Sequence, residues 1–490
     1  MAGQLPALQV VLPLMAAPLC ALLRRGNLAW AVAMLVSLAL PAVAASLLAQ
    51  VLAGGPISYM LGSWAAPYGI EYRVDEANAL LLVLVSGIGA VVTVYARRSV
   101  AAEIPAHLQA WFYTMYLLCL TGLLGIVITG DAFNVFVFLE ISSLSSYVLI
   151  AMGRDRRALT AAYQYLIMGT IGATFIVIGV GLLYVMTGTL NLVDMAERIA
   201  AVGPSRPILA ALAFLTVGIS LKLALFPLHL WLPNAYAYAP SVATAFLAAT
   251  ATKVAVYLLL RFVFSVFGPT LAFTAMPLPE VFLLLSVIAI FAASVVAVFQ
   301  DNVKRMLAYS SVAQIGYITL GIGIATQTGL TGGIVHLFNH AVMKGGLFLL
   351  MGCVALRLGS VMIDDLAGLG RRMPWTAAGI VVAGLSMIGA PGTVGFVSKW
   401  YLALAALEKG WWWLVALIVL SSLLTLVYMG RIVEAVYFRA PEREDVRESP
   451  PSMLIPAWIL VAACVYFGLH TDLTVGVATR AAAALMSAGG

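Results

Sequence analysis

Four lysines stand inside apolar runs, where a charge is costly: Lys222, Lys253, Lys344 and Lys399. The chain has only six lysines among its 26 basic residues, so arginine dominates the connecting segments and lysine the apolar ones. That division has a chemical reading. Arginine holds its proton under all physiological conditions, whereas a desolvated lysine can release one. Glu140 is the only carboxylate that the pattern places deep in an apolar run. Lys222 is its first candidate partner, and a pair that closes and opens would give the lysine a switchable proton affinity. The plainer alternative is a static ion pair that locks two helices together. His336, His340 and Lys344 recur every four residues and so form one stripe on a helix. A histidine pair at this spacing can ligate a metal or a haem. No second histidine pair and no cysteine or carboxylate set accompanies it, and neutral imidazoles beside a lysine suit a proton relay better. Snorkelling of single lysines and polar packing between helices are the structural alternatives.

The elements that must hold these groups are transmembrane helices. The chain has 490 residues, 63% hydrophobic and 9% charged, against about 25% charged in soluble proteins. Spans of about 20 apolar residues recur fourteen times, at 5–23, 28–52, 76–96, 108–128, 131–152, 160–188, 207–228, 240–264, 279–300, 305–326, 330–357, 373–405, 411–438 and 453–477. The fold class is an all-α polytopic membrane protein of about 14 transmembrane helices. The net charge of +6 is spread over separate loops, which argues against nucleic acid as a partner. Cys20, Cys119, Cys353 and Cys464 are isolated, so no iron–sulfur, zinc or disulfide framework is expected. The first apolar run has no basic stretch before it and reads as a retained helix. Two connecting segments are long, a Gly/Pro/Tyr-rich one at 54–75 and a charged one at 439–451.

Loops after odd-numbered spans carry Arg24, Arg25, Arg97, Arg98, Arg154, Arg156, Arg157, Lys304, Arg305, Arg357, Arg371, Arg372, Arg431, Arg439, Arg443 and Arg447. The other side carries Arg73, Arg198, Arg206, Arg261, Lys409 and Arg480. By the positive-inside rule both termini face away from the cytoplasm. Two spans are interrupted. Lys222 is followed by Pro227, Pro233 and Pro240, each of which removes an N–H and is expected to break the backbone. Ala390-Pro391-Gly392 precedes Lys399. Interrupted segments at corresponding places in two halves point to an inverted repeat. The expected division is 1–107 for three N-terminal helices, 108–264 and 279–438 for two five-helix repeats (helices 4–8 and 9–13), and 453–490 for the last helix.

Asp131-Ala-Phe-Asn, Phe138-Leu-Glu140, Lys222-Leu-Ala-Leu-Phe-Pro-Leu-His-Leu-Trp-Leu-Pro-Asn234, Lys253, Ala308-Tyr-Ser-Ser-Val-Ala-Gln-Ile-Gly316, the histidine stripe and Gly389-Ala-Pro with Ser398-Lys399 together resemble the proton-translocating antiporter-like subunits. That family comprises large membrane subunits of respiratory complex I and of Mrp-type cation/proton antiporters. The resemblance runs from about the fourth span to the thirteenth. It implies a lateral relay in which Glu140 pairs with Lys222, Lys253 connects, His336, His340 and Lys344 bridge the halves, and Lys399 ends the second half-channel. The M-type subunit carries a glutamate where Lys399 stands, and the L-type and Mrp A subunits are longer. The Phe133-Asn-Val-Phe-Val-Phe-Leu-Glu-Ile-Ser-Ser-Leu-Ser-Ser-Tyr147 run is most similar to the Mrp D protein.

The resemblance implies a subunit of a multisubunit Na+ or K+/H+ antiporter in a bacterial-type inner membrane, with other subunits as partners and no cofactor or metal. A proton-pumping subunit of an NADH:quinone oxidoreductase or a membrane hydrogenase is the alternative. A scaffold whose buried charges fix helix register and a module that energises uptake of another solute are the remaining readings.

Overall fold

The computed structural model describes residues 2–441 and 446–487. Arg443 and residues 488–490 of the last expected segment lie outside the described residues. The chain begins with α1 (Leu5–Leu23) and α2 (Gly26–Gly54). A short antiparallel hairpin follows, β1 (Ile57–Met60) with β2 (Glu71–Val74), in the segment expected only to be a loop. Then come α3 (Glu76–Glu103), α4 (Gln109–Ile128), α5 (Ala132–Ala151), α6 (Arg157–Thr187) and the amphipathic α7 (Leu192–Val202). α8 (Arg206–Leu223) stops short, and α9 (Trp231–Tyr238) resumes its course before α10 (Ser241–Leu260), whose last turns widen into a π-helix at Arg261–Val266. The short α11 (Pro269–Thr274) leads to α12 (Leu278–Val298), α13 (Val303–Gly323) and α14 (Gln327–Leu358). After α15 (Leu369–Arg372), α16 (Pro374–Ile388) and α17 (Val394–Glu408) form a second broken pair. α18 (Trp412–Phe438), α19 (Pro451–Leu469) and α20 (Asp472–Ser487) complete the fold.

Among the described residues, twelve helices are long and apolar enough to cross a membrane. The 21-residue α13 and the α16–α17 pair bring the crossings to the fourteen expected from the pattern. Four boundaries need correction. The last span ends at Leu469, and α20 is a separate helix where the sequence suggested a continuation to 477. Pro233 does not break the backbone: it is the third residue of α9, where a missing N–H costs nothing. Lys304, counted with the loops, is in the first turn of α13, buried, and donates to Ser241 Oγ at 3.0 Å. Arg261, also counted with the loops, is in the π-helical turn and faces inward.

Helix starts follow from side-chain caps. Asp75 and Asn78 form a capping box on α3, Asp131 accepts from the Asn134 amide on α5, and Asn302 and Thr326 do the same for α13 and α14. α10 and α14 are buried along most of their length and make the centre, while α2, α6, α18 and α19 expose apolar faces as lipid-facing helices do. Glycines set the closest helix contacts. A Cβ on Gly169 would stand 2.0 Å from Tyr147 Oη and one on Gly172 3.0 Å from the Gly218 carbonyl, in keeping with their reading as packing glycines.

The hairpin ties the loops of one face together. Glu71 accepts from Ser58 Oγ (2.6 Å) and Asn191 Nδ2 (2.8 Å). Asp75 holds Arg261 in a bidentate pair at 2.8 and 2.9 Å. Burial alone would raise the Asp75 carboxyl, but Arg261 beside it and the capping amides hold it below the usual carboxylate range. A depressed folded value means stability that is present above the unfolded pKa, ~3.9, and lost as pH falls through the folded value. Thermal melts of the purified protein are therefore expected to drop below about pH 4. Asp75→Asn should flatten that drop and lower the neutral-pH stability by about 3–5 kcal/mol, as expected for breaking a largely buried pair.

Candidate functional site

The two broken helices present their ends inside the protein. α8 closes with Ala224 in the left-handed region (φ 59°), and the Ala224 and Leu225 amides return to the Leu221 and Ser220 carbonyls. Trp231 Nε1 covers the Leu221 carbonyl at 2.9 Å and its ring stacks on Tyr165. Pro227 lies in the irregular stretch between α8 and α9, and Pro391 in the one between α16 and α17. Gly389, at φ 94°, ends α16 in a conformation that suits glycine.

Lys222, in the last turn of α8, donates to Ser143 Oγ on α5 at 2.9 Å. It is only 7% exposed and lines a cavity of about 30 Å³ with Ser142, Ser143, Ser146 and Tyr165. A buried water needs about 10–15 Å³ of such volume, so the space suffices for one or two. Glu140 is one turn from Ser143 on the same helix, yet it forms no ion pair with Lys222 among the described residues, and its Oε1 has no hydrogen-bond partner. The expected direct pair is thus replaced here by a serine contact.

Lys253, on α10, is 1% exposed and donates to the Ala248 carbonyl at 2.5 Å and to Thr252 Oγ1 at 3.3 Å. Lys344 donates to the Leu307 carbonyl at 2.8 Å and to Ser310 Oγ. His336 bridges Ser398 Oγ (2.7 Å) and Gln314 Oε1 (2.9 Å). His340 stacks beneath it, ring centroids 6.2 Å apart, and both its ring nitrogens are buried without a protein partner. An unsatisfied buried polar group costs about 1–3 kcal/mol, which a purely structural residue would shed. Lys399 ends the row. It is buried, not snorkelling, and donates to the Ile388 (2.8 Å) and Met387 (3.3 Å) carbonyls and to Ser422 Oγ (2.9 Å). Its ammonium caps the end of α16, where the helix dipole favours a cation, and lies 5.0 Å from the Tyr317 ring centroid.

Six of the seven ionisable residues singled out in the sequence are therefore buried, and the seventh, Glu140, is half-buried with its Oε1 covered. His336, His340 and Lys344 share one face of α14, His336 reaches toward Lys399 through Ser398, and Lys222 and Glu140 belong to the other half. Sequence reasoning missed the role of α13. Leu307, Ser310, Gln314 and Tyr317 recur at helical spacing, and they contact Lys344, His336 and Lys399 in turn. The signal was present as a polar i, i+3, i+4 pattern in the Ser310–Gln314 region, inside a motif used only for the resemblance. Among the described residues no three His, Cys, Asp or Glu side chains gather in metal-holding geometry.

Fold and site together define a nearly all-helical, multi-pass membrane protein with two broken spans and a buried row of ionisable side chains. Residues 129–425 match the family described as NADH:quinone oxidoreductase/Mrp antiporter, TM, and the chain belongs to that family. It is 40% identical to the N-type NADH-quinone oxidoreductase protein of Desulforudis audaxviator (strain MP104C), over 96% of this chain and 97% of that protein. It is 29% identical to the D protein of the Na(+)/H(+) antiporter of Bacillus subtilis (strain 168), over 98% and 97%. Among solved structures, a chain of the archaeal membrane-bound sulfane sulfur reductase superposes with a TM-score of 0.91 at 30% identity, covering 99% of this chain and 98% of that one. A chain of the Mrp complex from Dietzia sp. DQ12-45-1b gives 0.90 at 26%, with the same coverage. These matched chains are subunits of multisubunit membrane complexes.

Proposed function

We propose that this chain is the proton-translocating subunit of a multisubunit Na+ or K+/H+ antiporter in a bacterial-type plasma membrane, both termini facing away from the cytoplasm. The observation that carries the reading is the row of buried bases: Lys222, Lys253, His336, Lys344 and Lys399 are served by neutral oxygens and backbone carbonyls instead of carboxylates, and His340 stands among them without a protein partner. Bases held by neutral acceptors can gain and lose protons without breaking a strong ion pair.

A proton arriving at the Glu140–Lys222 end changes the field on Lys253. Charge then shifts through the α14 stripe to Lys399. Each site responds to its neighbour by Coulomb interaction, and no covalent chemistry is involved. The inverted repeat belongs to this reading. The packing of α4 on α5, α5 on α6, α6 on α8 and α8 on α10 recurs as α12 on α13, α13 on α14, α14 on α16 and α17, and α17 on α18. A second reading, a redox-driven pump subunit using the same relay, is favoured by the 40% identity to an N-type oxidoreductase protein.

The test is dye-monitored proton exchange in everted vesicles carrying the complete complex, with Na+, K+ or NADH supplied in turn. Exchange driven by Na+ or K+ and lost in Lys222→Ala supports the antiporter. A response to NADH alone moves the chain to the redox pump. Unchanged exchange in Lys222→Ala removes the relay. His340→Met is expected to reduce exchange at least tenfold, a change of ~1.4 kcal/mol in the barrier, with little loss of thermal stability because no hydrogen bond to protein is given up and most of the buried volume stays filled.

A further inference from the structure

α13 and α18 meet along a polar seam. Tyr317 Oη on α13 and Ser421 Oγ on α18 share a hydrogen bond. Further along α18, Arg431 bonds the Gln300 carbonyl (3.1 Å) and Asp301 Oδ1 (3.0 Å), just before α13 begins. The two helices therefore run antiparallel. Ser310 lies two turns before Tyr317, and Tyr428 two turns after Ser421. Both thus stand ~10 Å from that contact, in the same direction and on the contacting faces. Gln314 and Thr425 occupy the interval between. A relay lysine is attached at each end. Lys344 donates to Ser310 Oγ, and Lys399 to Ser422 Oγ at 2.9 Å, beside the Tyr317 ring. In the middle, Tyr428 Oη and Gln314 Nε2 have no hydrogen-bond partner among the described residues, though both residues are 0% exposed. Gln314 spends its other amide atom on His336, so turning the amide over only exchanges which atom is left. The histidines are not bonded end to end, since neither nitrogen of His340 has a partner. Each orphaned group costs about 1–3 kcal/mol, and a buried water with two to four polar partners is the ordinary remedy.

We propose that Tyr428 and Gln314 hold a water between α13 and α18, and that this water completes a lane of hydroxyls along which a proton passes from Lys344 to Lys399 beside the histidines. The proposal rests on the relay reading above and deepens it: His336 and His340 set the field, and the hydroxyls carry the proton. Ser310 now donates to the Leu307 carbonyl at 2.9 Å, and the lane closes when that hydroxyl turns to Tyr428. The Lys344 ammonium then gives a proton to Ser310 Oγ as the serine's own proton passes to Tyr428 Oη. Tyr428 passes its proton to the water, the water one to Tyr317, Tyr317 one to Ser422, and Ser422 one to the neutral amine of Lys399. Each hydroxyl and the water gain one proton and lose one. Lys344 ends as the amine and Lys399 as the ammonium. The Gln314 amide donates to the water throughout, which leaves both water hydrogens free for the transfer.

The test uses the complete complex in vesicles and compares Tyr428→Phe, Tyr317→Phe and the double variant. Tyr428→Phe should slow exchange at least tenfold while the melting temperature stays at or above the wild-type value, because phenylalanine keeps the ring and drops an unpartnered oxygen. Tyr317→Phe should slow exchange to a similar degree. The double variant should be no more than about twofold slower than the slower single one, since a lane already broken loses nothing at a second break. Two tyrosines that act separately through packing give losses that multiply, about a hundredfold together. Full-rate exchange by Tyr428→Phe, or losses that multiply in the double variant, overturns the lane. A map of the complex that resolves its other buried waters should show one within hydrogen-bond length of both Tyr428 Oη and the Gln314 amide, and a dry seam in such a map overturns the water site. If Lys222→Ala is inactive while Tyr428→Phe exchanges at the full rate, the relay stands and only the lane falls. If Lys222→Ala exchanges protons at the wild-type rate, the relay falls and the lane with it.

Discussion

Lys222→Met should abolish proton exchange while leaving the protein as thermally stable as the wild type, within about 1 kcal/mol. The lysine is buried with one neutral side-chain contact, Ser143 Oγ at 2.9 Å, so removing it strands no carboxylate ion-paired to it. Methionine fills similar volume, and replacing buried charge with an apolar group of like size is often neutral or stabilising. A lysine that only held α8 to α5 would behave in the opposite way, with transport retained in proportion to the folded protein. Melting temperature in detergent and cation-driven exchange in vesicles, measured on the same preparation, separate the two. Ser143→Ala should give a smaller loss of exchange, because the hydroxyl positions the ammonium without carrying the proton.

Gly395→Ala should be the most damaging single-methyl change among the described glycines. A Cβ there would sit 1.7 Å from the Ser386 carbonyl oxygen and 2.9 Å from its carbon. Both are main-chain atoms of α16, so no side chain can rotate away. The start of α17 would have to separate from the end of α16 by well over an ångström. Overpacking of this kind costs about 1–3 kcal/mol where side chains yield and more where backbone must move. The same displacement pulls Lys399 from the Met387 and Ile388 carbonyls. Expected results are a large fall in yield and melting temperature and loss of exchange in what remains. Gly181→Ala, where an added Cβ meets nothing within 4 Å, is the control and should be silent.

The crossings were legible because a bilayer-spanning helix needs a long apolar run, and the fourteen runs stand apart along the chain. The breaks were legible because Pro227 and Pro391 cannot donate to a helix. The stripe on α14 followed from a spacing of four. What escaped has a common cause. Hydropathy reports how deep a residue sits and says little about which way it faces. Lys304 and Arg261 lie near span ends, where loop and helix read alike, and only the fold shows each turned inward onto Ser241 and Asp75. The hairpin at 57–74 was hidden because its two strands of four residues are too short and too mixed in polarity to stand out. Glu140 and Lys222 were expected to touch because opposite charges in an apolar run invite pairing. The serine cluster of α5 gives the lysine another acceptor, and the position of Ser143 relative to Nζ is a matter of helix rotation that no spacing rule supplies.

Lys253, Lys344 and Lys399 each direct their ammonium to a main-chain oxygen, of Ala248, Leu307, and Met387 and Ile388. Such acceptors belong to no side chain and cannot be deleted by any ordinary substitution. An alanine scan around these lysines would pass over them without registering their presence. The site is therefore tolerant of drift in its neighbours' identities and intolerant of changes in their contour: what must be inherited is the curve of the backbone, and many sequences can draw it.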